Sequence, residues 1–358
     1  MPFGTPSDGP TTAGTTSDPV LTTAAAAAVA TDFRDWALDV QAGLHSDLNT
    51  VHKFGRLPVV NSADGFVDVW NGTKGPYLGF NAVAGEAVTV SSASANDAGT
   101  VLSSGTMTGG SATTAADTGA TFSTDTVAAG DLVINDTQSD HMIITSLTET
   151  VLTGRRWRHG TTPAVSDAYR VVTAASTGAA VVRVNRIMDF TSGGLATEYI
   201  VLNGVTGVDT TGTDYFRCSR GRIVLAASGG IAIGAITATQ KTTTANIFWT
   251  MPIGYNSTMV CCDTVPAGKV GYLKQWGGQL IGTNQANAQL RFSSRPTGEV
   301  FQVQEELGLR GSGTSAIDRV YSIPKNGFEA WTDIRLDIDT DTNATSVVGY
   351  FTIIFKDA

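Results

Sequence analysis

Charged residues are scarce in this chain. They make up 15% of its 358 residues, and lysine and glutamate, which favour helices, are few. The chain has instead 40 glycines and many threonines, serines, alanines and valines. Because β-branched residues favour strands and glycine favours tight turns, this composition predicts a protein built mainly of β-strands.

A basic stripe is also missing, and the net charge is -9 with an isoelectric point near 4.9. A nucleic-acid binder needs clustered positive charge to neutralise phosphates, so we expect no nucleic-acid partner. No apolar run is long enough to cross a membrane, and the first residues lack the basic and apolar regions of a signal peptide. We therefore expect no membrane insertion.

Cysteine is rare as well, since the chain has only Cys218, Cys261 and Cys262. An odd count without framework spacing predicts small buried hydrophobes in a reducing cytoplasm rather than a disulfide scaffold. The neighbours Cys261 and Cys262 would point to opposite faces of a strand.

Sequence patterns of catalysis and cofactor binding are absent. The chain has no Walker loop or dinucleotide fingerprint, and its four histidines lack metal-ligand spacing. We expect no enzymatic activity, no cofactor and no metal. DIDTDTN (337–343) carries oxygen ligands at alternate positions but lacks the glycine and glutamate of an EF-hand, so a polar hairpin tip is favoured over an ion site. Adjacent Glu305 and Glu306 fit an exposed strand end better than a glycan-cleaving pair.

Residues 1–55 are predicted to form an N-terminal arm and a docking helix. The first 22 residues are too polar to fold alone. The next segment repeats apolar residues at three- and four-residue steps and ends near Gly55. Packing on its own domain is an alternative, but tryptophan and phenylalanine on the stripe favour oligomerisation or docking. The stripe residues are Phe33, Trp36, Val40, Leu44, Leu48 and Val51.

From Phe66 onward, β-branched and aromatic runs alternate with turn residues at a spacing of about ten residues, which is typical of a sandwich or jelly roll. We predict a mainly β fold, in which the N-terminal helix is followed by antiparallel β-sandwich or jelly-roll domains with a small inserted β domain. The predicted domains are a β-sandwich (56–98 plus 176–245), the inserted β domain (99–175) and a C-terminal jelly-roll-like domain (246–358).

The strongest basic cluster is GRRWRHG, in which Arg155, Arg156 and Arg158 surround Trp157. Arginine and tryptophan are typical anchors of protein interfaces, so these four residues form a candidate surface contact. The cluster could also hold an acidic surface glycan, or it could be a solvated hairpin loop. Trp157, Trp276 and Trp331 are the aromatic candidates for a site that recognises a host surface.

Several segments resemble a group of phage virion proteins that are common in marine and freshwater phage genomes. HKFGRLPVV (52–60) and GFVDVWNGTKGPY (65–77) are similar to the opening "HKFGRN, then Asp-x-Trp-Asp/Asn-Gly-Gly-x-Tyr" of that group, with Leu57 where asparagine is usual. The resemblance continues in EYIVLNGVTGV, YFRCSRGRIVLAASGGIAIGAITAT, TVPAGKVGYL, RPTGEVFQV and LGLRGSGTSAI. It covers most of the chain from residue 52.

The resemblance implies a non-enzymatic structural protein of a tailed bacteriophage, assembled in the host cytoplasm and resident in the virion. We expect a tail or neck appendage that docks by its N-terminus and projects its β domains. A head decoration protein and a receptor- or glycan-binding module are the alternatives. The expected partners are further copies of this chain, as a homotrimer, other virion proteins, and a host-surface glycan or protein, because apolar β surfaces need cover and closed symmetry supplies it.

Overall fold

A computed structural model describes residues 48–72, 77, 86–174, 177–187, 195–213, 215, 217–281, 286–311 and 316–358. The chain divides into a unit of residues 1–50 and a unit of residues 51–358. Almost all of the described residues belong to the second unit.

The described residues form antiparallel sheets and contain no helix, so the prediction of a mainly antiparallel β fold is confirmed. The strands, in chain order, are β1 (Leu48–Val60), β2 (Val67–Asp68), β3 (Val88–Ser92), β4 (Gly99–Thr106), β5 (Gly109–Ser111), β6 (Thr114–Ala116), β7 (Leu132–Asn135), β8 (Asp140–Leu147), β9 (Val151–Gly154), β10 (Ala168–Ala174), β11 (Ala179–Ile187), β12 (Leu195–Val201), β13 (Val208–Asp209), β14 (Arg217–Ala226), β15 (Ile236–Gln240), β16 (Ile247–Met251), β17 (Cys262–Thr264), β18 (Lys269–Ile281), β19 (Ala286–Arg295), β20 (Gln302–Gly311), β21 (Ala316–Phe328), β22 (Asp333–Thr340) and β23 (Thr345–Asp357).

Two sheets enclose the largest core and form the C-terminal sandwich. One has the order β1-β23-β18-β21, and the other has the order β17-β22-β19-β20, with β2 beside β22. Alternate residues of these strands face inward, as the period of a pleated strand requires. The core contains Trp276, Phe292 and Phe351, and Phe292 packs edge-on against Phe351 with ring centroids 5.9 Å apart.

A second pair of sheets forms the middle sandwich. The sheet β12-β11-β14 and the sheet β13-β3-β15-β16 share a core that includes Val182, Val184, Trp249 and Met251. Trp249 packs against Gly221 on β14, where a Cβ atom would lie 2.6 Å from the indole ring. A side chain at residue 221 would therefore push the two sheets apart.

A seven-stranded sheet, β4-β10-β7-β8-β9-β6-β5, is built entirely from residues 99–174 and has its own core around Phe122, Met142 and Trp157. These residues lie within the interval that the sequence sets apart as an insertion. A further apolar cluster joins this sheet to the middle sandwich, since Leu132 and Val172 on one side pack with Val181 and Tyr199 on the other.

The end of the predicted docking helix is a strand, which corrects that part of the prediction. Leu48 and Val51 lie in β1, whereas Phe33, Trp36, Val40 and Leu44 lie outside the described residues. His52 on β1 contacts the Thr352 hydroxyl of β23 at 2.9 Å, across 300 residues of sequence. Pairing with this distant apolar strand overrides the helical spacing of the local sequence.

Gly55 is a point of close approach rather than a helix stop. A Cβ atom there would lie 2.3 Å from the carbonyl oxygen of Val69 and 2.6 Å from the Cβ of Cys261. Strand β1 and residues Val67 and Val69 belong to the C-terminal sandwich, although the sequence pattern placed 56–98 in the first β-sandwich. Strand β16, beyond the predicted boundary at 245, pairs with β15 in the middle sandwich.

Neighbouring residues on the segments that join the two sandwiches face different cores. Cys261 lies in the core of the C-terminal sandwich and Cys262 in that of the middle sandwich, and both thiols are free and buried, as expected. Val69 and Trp70 divide in the same way. Because successive side chains of an extended chain point to opposite sides, one segment can contribute to both cores.

Candidate functional site, a basic cleft

A row of three polar side chains crosses the outer face of the three-stranded sheet. Arg183 on β11 pairs directly with Tyr199 on β12 and with Arg222 on β14. Directly opposite residues in a sheet have Cβ atoms about 4.5–5.5 Å apart on the same face. The two guanidinium groups therefore start from neighbouring positions and have Tyr199 beside them.

The next position along the same face adds Arg220, which pairs with Asn185. On the opposite face, Val182 and Val184 are buried in the core of the middle sandwich. Because side chains alternate along a strand, burial of the valines turns the arginines outward. Arg183 and Arg220 are half-buried and Arg222 is exposed.

The seven-stranded sheet supplies the second wall of this site. The His141 Nδ1 atom lies 2.9 Å from the Tyr199 hydroxyl, and the His141 and His159 rings are 6.5 Å apart. The hydroxyl of Ser139 donates to the carbonyl oxygen of Thr197 at 2.8 Å, which ties this wall to β12. We call the group formed by these residues the basic cleft; its members are His141, His159, Arg158, Arg183, Tyr199, Arg220 and Arg222.

Asp140 lies beside the cleft, but its carboxylate is occupied. It accepts hydrogen bonds from the backbone N–H groups of His141 (2.7 Å) and His159 (3.0 Å) and from the Thr161 hydroxyl (2.6 Å). Burial raises the pKa of Asp140, but these hydrogen bonds outweigh it and hold the pKa below its ordinary value. Asp140 therefore stays ionised and holds the loop that carries Arg158 and His159.

Asp140 is a carboxylate whose charge reaches the cleft, where it acts on His141 and His159 rather than pairing with an arginine. Within the described part of the chain, none of Arg158, Arg183, Arg220 and Arg222 forms an ion pair. Burial lowers the pKa of Arg183, and the charges of Arg222, Arg220 and Arg158 lower it further. Burial and the charges of Arg220 and Arg158 also lower the pKa of Arg222. The four guanidinium groups thus repel one another.

The histidines of the cleft are held in their uncharged form. Burial lowers the pKa of His141 to about 4, against the attraction of Asp140, and Arg183 adds to the effect. Burial and Arg183 also lower the pKa of His159, although its Nδ1 atom lies 3.2 Å from Asp140. Neutral histidines at pH 7 supply hydrogen-bonding nitrogens without further charge.

The arrangement is suited to holding charge rather than to transferring protons. A general base needs a free lone pair near the substrate and a pKa near the working pH. Asp140 is occupied by three donors, and the pKa of His141 lies well below neutrality. Among the described side chains of the cleft, the guanidinium groups of the arginines are the donors that can bind a negatively charged ligand.

The predicted surface contact is only partly at the surface. Arg155, Arg156 and Arg158 are exposed, but Trp157 is fully buried in the core of the seven-stranded sheet. Its indole N–H faces the carbonyl oxygens of Ser111 (3.1 Å) and Thr114 (3.3 Å). The assignment of Trp157 as a surface anchor is therefore wrong, because the ring fills a core that the flanking polar residues did not reveal.

Trp276 is also buried rather than exposed, and its indole N–H donates to the Tyr321 hydroxyl at 3.2 Å. Trp331 is half-buried in a left-handed turn with φ 68°. Of the three aromatic candidates for host recognition, two are thus in cores. The structure gives no exposed tryptophan platform at these positions.

The other polar segments are used locally. In DIDTDTN, Asp337 is buried and accepts from Ser293 at 3.1 Å, while Asp341 accepts from the Asn287 backbone at 2.8 Å near the hairpin tip. Glu305 is buried and bonds to the Tyr321 hydroxyl at 2.5 Å, whereas Glu306 is exposed and pairs with Arg291. Among the described residues, no three histidine, cysteine, aspartate or glutamate side chains are grouped so that they could hold a metal ion.

Two cavities in the described chain differ from the basic cleft in charge. One of about 550 Å³ is lined partly by Asp136, Arg170 and Glu198, and Arg170 donates to Asp136 at 2.8 and 2.7 Å. Glu198 accepts from the backbone N–H of Thr211 at 2.5 Å. A cavity of about 680 Å³ at the end of the C-terminal sandwich contains the bonded pair Asn287 and Asp341. The charges named in these cavities have partners, unlike those of the basic cleft.

Sequence reasoning missed Arg183, Arg220 and Arg222. A signal was present, since Arg220 and Arg222 occupy alternate positions of one strand-like run and would share a face. Their meeting with Arg183 could not be read from the sequence, because it depends on the register between β11 and β14.

No protein-family model matches the chain, and no curated protein sequence matches it. Among solved structures, the chain is similar to a structure of the Gt strain of infectious bursal disease virus, with 9% identity, coverage of 87% of this chain and 77% of that chain, and a TM-score of 0.16. It is similar at 8% identity, with the same coverage and TM-score, to a crystal structure of the VP2 subviral particle of infectious bursal disease virus. TM-scores this low do not support a shared fold, so neither likeness contributes to the functional argument.

In the described part of the chain, no helix could serve as a membrane span.

Proposed function

We propose that this chain is a non-enzymatic structural protein of a tailed bacteriophage particle. In this proposal it is an outer-surface appendage of the tail or neck, which docks by its N-terminal region and projects its β domains. Its partners are other copies of itself, as a homotrimer, and neighbouring virion proteins. The proposal begins from the resemblance of residues 52–77 and later segments to phage virion proteins.

The observation that carries the proposal is the architectural use of those resembling residues. In HKFGRLPVV, Gly55 passes in contact with Val69 and Cys261, and Leu57 is buried in the C-terminal sandwich. In GFVDVWNG, Trp70 is buried in the middle sandwich and packs edge-on against Tyr77 at 5.3 Å. These segments join two sandwiches, which is the task of residues that maintain a scaffold.

Buried ion pairs strengthen the same junction. Arg217 of the middle sandwich donates to Asp333 of the C-terminal sandwich at 3.1 and 3.0 Å, and Arg295 donates to Asp333 at 2.6 Å. Within the C-terminal sandwich, Arg335 also pairs with Asp68 at 2.9 Å. A buried ion pair that crosses from one sandwich to the other favours a fixed orientation of the two, which suits a projecting structural protein.

Copy number in purified particles tests this proposal. Quantitative mass spectrometry of virions from the phage that encodes the chain, normalised to the major capsid protein, should find a handful of copies per particle. Abundance close to that of the capsid protein would instead favour the alternative of head decoration. Absence from purified virions would overturn the structural proposal.

The homotrimer is tested separately, on the full chain. Light scattering coupled to size-exclusion chromatography should give three times the monomer mass of 37.2 kDa. A monomer at micromolar concentration would contradict the trimer but leave the virion assignment to the copy-number experiment. Incubation with host envelope polysaccharide should release no sugar, and release of reducing ends would contradict the non-enzymatic role.

A second candidate function, recognition of the host surface, is favoured by the basic cleft. The cleft gathers unpaired positive charge on a chain whose net charge is -9. A structural appendage could carry such a site, so the two functions are compatible. Several copies per particle would strengthen weak individual contacts through multivalency.

A further inference from the structure

We propose that the basic cleft binds one compact oxyanionic group, a carboxylate, sulfate or phosphate, carried by an otherwise neutral ligand. The proposal concerns the ligand chemistry of this site and does not depend on whether the chain is a virion protein.

Gathering these arginines on one face of the sheet has an energetic cost. Arg183 and Arg222 occupy paired positions on one sheet face, and like charges directly opposite in a sheet are destabilising. Arg220 lies two residues from Arg222 on that face, and the charge of Arg158 reaches Arg183 from the second wall. Among the described residues no carboxylate forms an ion pair with any of these four arginines, although aspartate and glutamate outnumber lysine and arginine, 32 to 23, in the whole chain.

An unsatisfied donor supports the same conclusion independently. The Nε atom of Arg183 is buried and has no hydrogen-bond partner among the described residues. A buried N–H without an acceptor costs about 1–3 kcal/mol, more when the group is charged. The Nε atoms of Arg56 and Arg335 also lack a well-aligned hydrogen bond, but a second nitrogen of Arg56 donates to the Tyr255 hydroxyl at 3.1 Å, and a carboxylate oxygen of Asp337 lies 3.1 Å from the Arg335 Nε. Arg183 has no such neighbour, and an oxyanion would supply one.

The size of the site limits the ligand. Strands in a sheet are about 4.8 Å apart, so the row from Tyr199 through Arg183 to Arg222 spans about 10 Å. Arg220 lies about 7 Å along the strand from Arg222. These backbone separations, about 10 by 7 Å, match the size of one carboxylate, sulfate or phosphate group together with the side chains that contact it. The forked guanidinium matches the oxygens of such a group.

The surroundings argue against a densely charged polymer. A nucleic acid presents a charge at every phosphate and needs a long basic stripe, whereas this chain is acidic beyond the local cluster. A ligand with an isolated anionic group on a neutral body gains the attraction of the cleft and avoids repulsion by the remaining surface. An acidic sugar residue has this chemistry, as does a sulfated or phosphorylated one.

Binding can be measured on the full chain by titration calorimetry. The probes are inorganic sulfate, inorganic phosphate, a singly sulfated disaccharide and its unsulfated parent, all at constant ionic strength set with chloride. The wild-type chain should bind the first three saturably at one site and should not bind the unsulfated disaccharide. The three anionic probes distinguish a free ion from an anion carried by a sugar.

Two variants locate the site. Arg183→Gln and Arg222→Gln should each weaken binding of the sulfated disaccharide by about tenfold or more, since each removes charge-assisted hydrogen bonds. Arg222 is exposed, so its variant tests the site even if Arg183→Gln fails to fold. Lys356→Gln removes one exposed positive charge elsewhere and should leave the affinity unchanged.

Three results would overturn the proposal: no saturable binding of any anionic probe to the wild-type chain, equal affinity in the arginine variants and the wild type, or an equal loss in Lys356→Gln. A single-stranded 20-nucleotide DNA that binds more tightly than the sulfated disaccharide, with a steep salt dependence, would also overturn the restriction to a compact group. None of these outcomes depends on the copy number in virions.

Discussion

At the junction of the two sandwiches, Arg217 and Arg295 share the carboxylate of Asp333. On the outer face of the three-stranded sheet, by contrast, Arg183 and Arg222 occupy directly opposite positions on neighbouring strands, so one positive charge lies beside another. Asp333 also accepts from the Thr264 hydroxyl at 2.5 Å. Each arginine at the junction therefore has a counter-charge, and the position of each is explained by the fold.

The arginines of the basic cleft have no such explanation within the described residues. They lie on the same kind of scaffold, a pleated antiparallel strand, and Arg183 is half-buried there. The difference shows that arginine on a sheet face is not by itself a sign of function. The informative feature is a group of positive charges that form no ion pair among the described residues. Such a group lowers the stability of the fold, so its presence indicates a function.

The largest expected change in the free energy of unfolding comes from the ion pairs of Asp333 at the junction of the two sandwiches. Asp333→Asn removes the buried carboxylate charge that pairs with Arg217 and Arg295, and breaking a buried pair costs about 3–5 kcal/mol. Urea denaturation should show this loss in the free energy of unfolding. Asp357→Asn, which removes an exposed partner of Lys269, is the control and should change stability by less than about 1 kcal/mol. Equal effects of the two variants would contradict the role of the buried network.

The next largest expected effect is a pH dependence of the free energy of unfolding, which is caused by His141 in the basic cleft. Burial holds the pKa of His141 at about 4, below its ordinary 6.5, with Arg183, His159 and Arg158 acting in the same direction and Asp140 opposing. Between these values the unfolded chain binds a proton that the folded chain does not, so the free energy of unfolding falls as pH drops. The contribution should be about 2 kcal/mol between pH 7 and pH 5.

Comparison of the wild type with His141→Gln isolates this contribution. The variant cannot take up a proton at that position, so its loss of stability between pH 7 and pH 5 should be smaller than that of the wild type by the same amount. Both proteins would be unfolded in urea at the two pH values. Parallel losses in the two proteins would show that His141 does not titrate in this way.

Removal of one arginine from each region compares the two directly, because the expected changes in stability differ in sign. Arg183→Gln relieves repulsion in the cleft, so in chloride buffer the free energy of unfolding should stay constant or rise by up to about 1 kcal/mol. Arg217→Gln removes a paired charge and should lower it by about 3 kcal/mol. Denaturation of both variants under identical conditions measures the difference. A large loss of unfolding free energy in Arg183→Gln would mean that Arg183 has a stabilising negatively charged partner.

The smallest expected effect separates the basic cleft from the basic cluster found in the sequence. Arg155 is exposed and is not among the charges that act on Arg183. Arg155→Gln should therefore leave stability within about 0.5 kcal/mol and sulfate affinity unchanged. A loss of affinity as large as that in Arg222→Gln would shift the site toward the loop predicted from the sequence.

Much of the local structure could be predicted from particular residues. The alternation in runs such as AAVVRVNRI predicted strands, and the adjacent Cys261 and Cys262 face two cores as their neighbouring positions on an extended chain require. The turn and strand rhythm of 99–175 marked the interval that forms the seven-stranded sheet. These features depend on near neighbours in the sequence, where spacing and propensity are informative.

The errors share a different cause. Leu48 and Val51 fit a helical stripe but lie in β1, which packs beside a strand about 300 residues away. Trp157 stands among exposed arginines in the sequence, yet its ring fills a core. In both cases a contact distant in sequence outweighs the local pattern, which is why strand propensity depends on context.

The sequence by itself determined the class of structure, the strand-forming segments, the buried free thiols and the low charge of the chain. Only the tertiary structure decided which strands pair, which tryptophans are buried and which arginines meet. The physical reason is register: a shift of one residue between β11 and β14 would turn either Arg183 or Arg222 into the core of the middle sandwich. The basic cleft exists because packing of Val182 and Val184 fixes that register and turns the arginines outward.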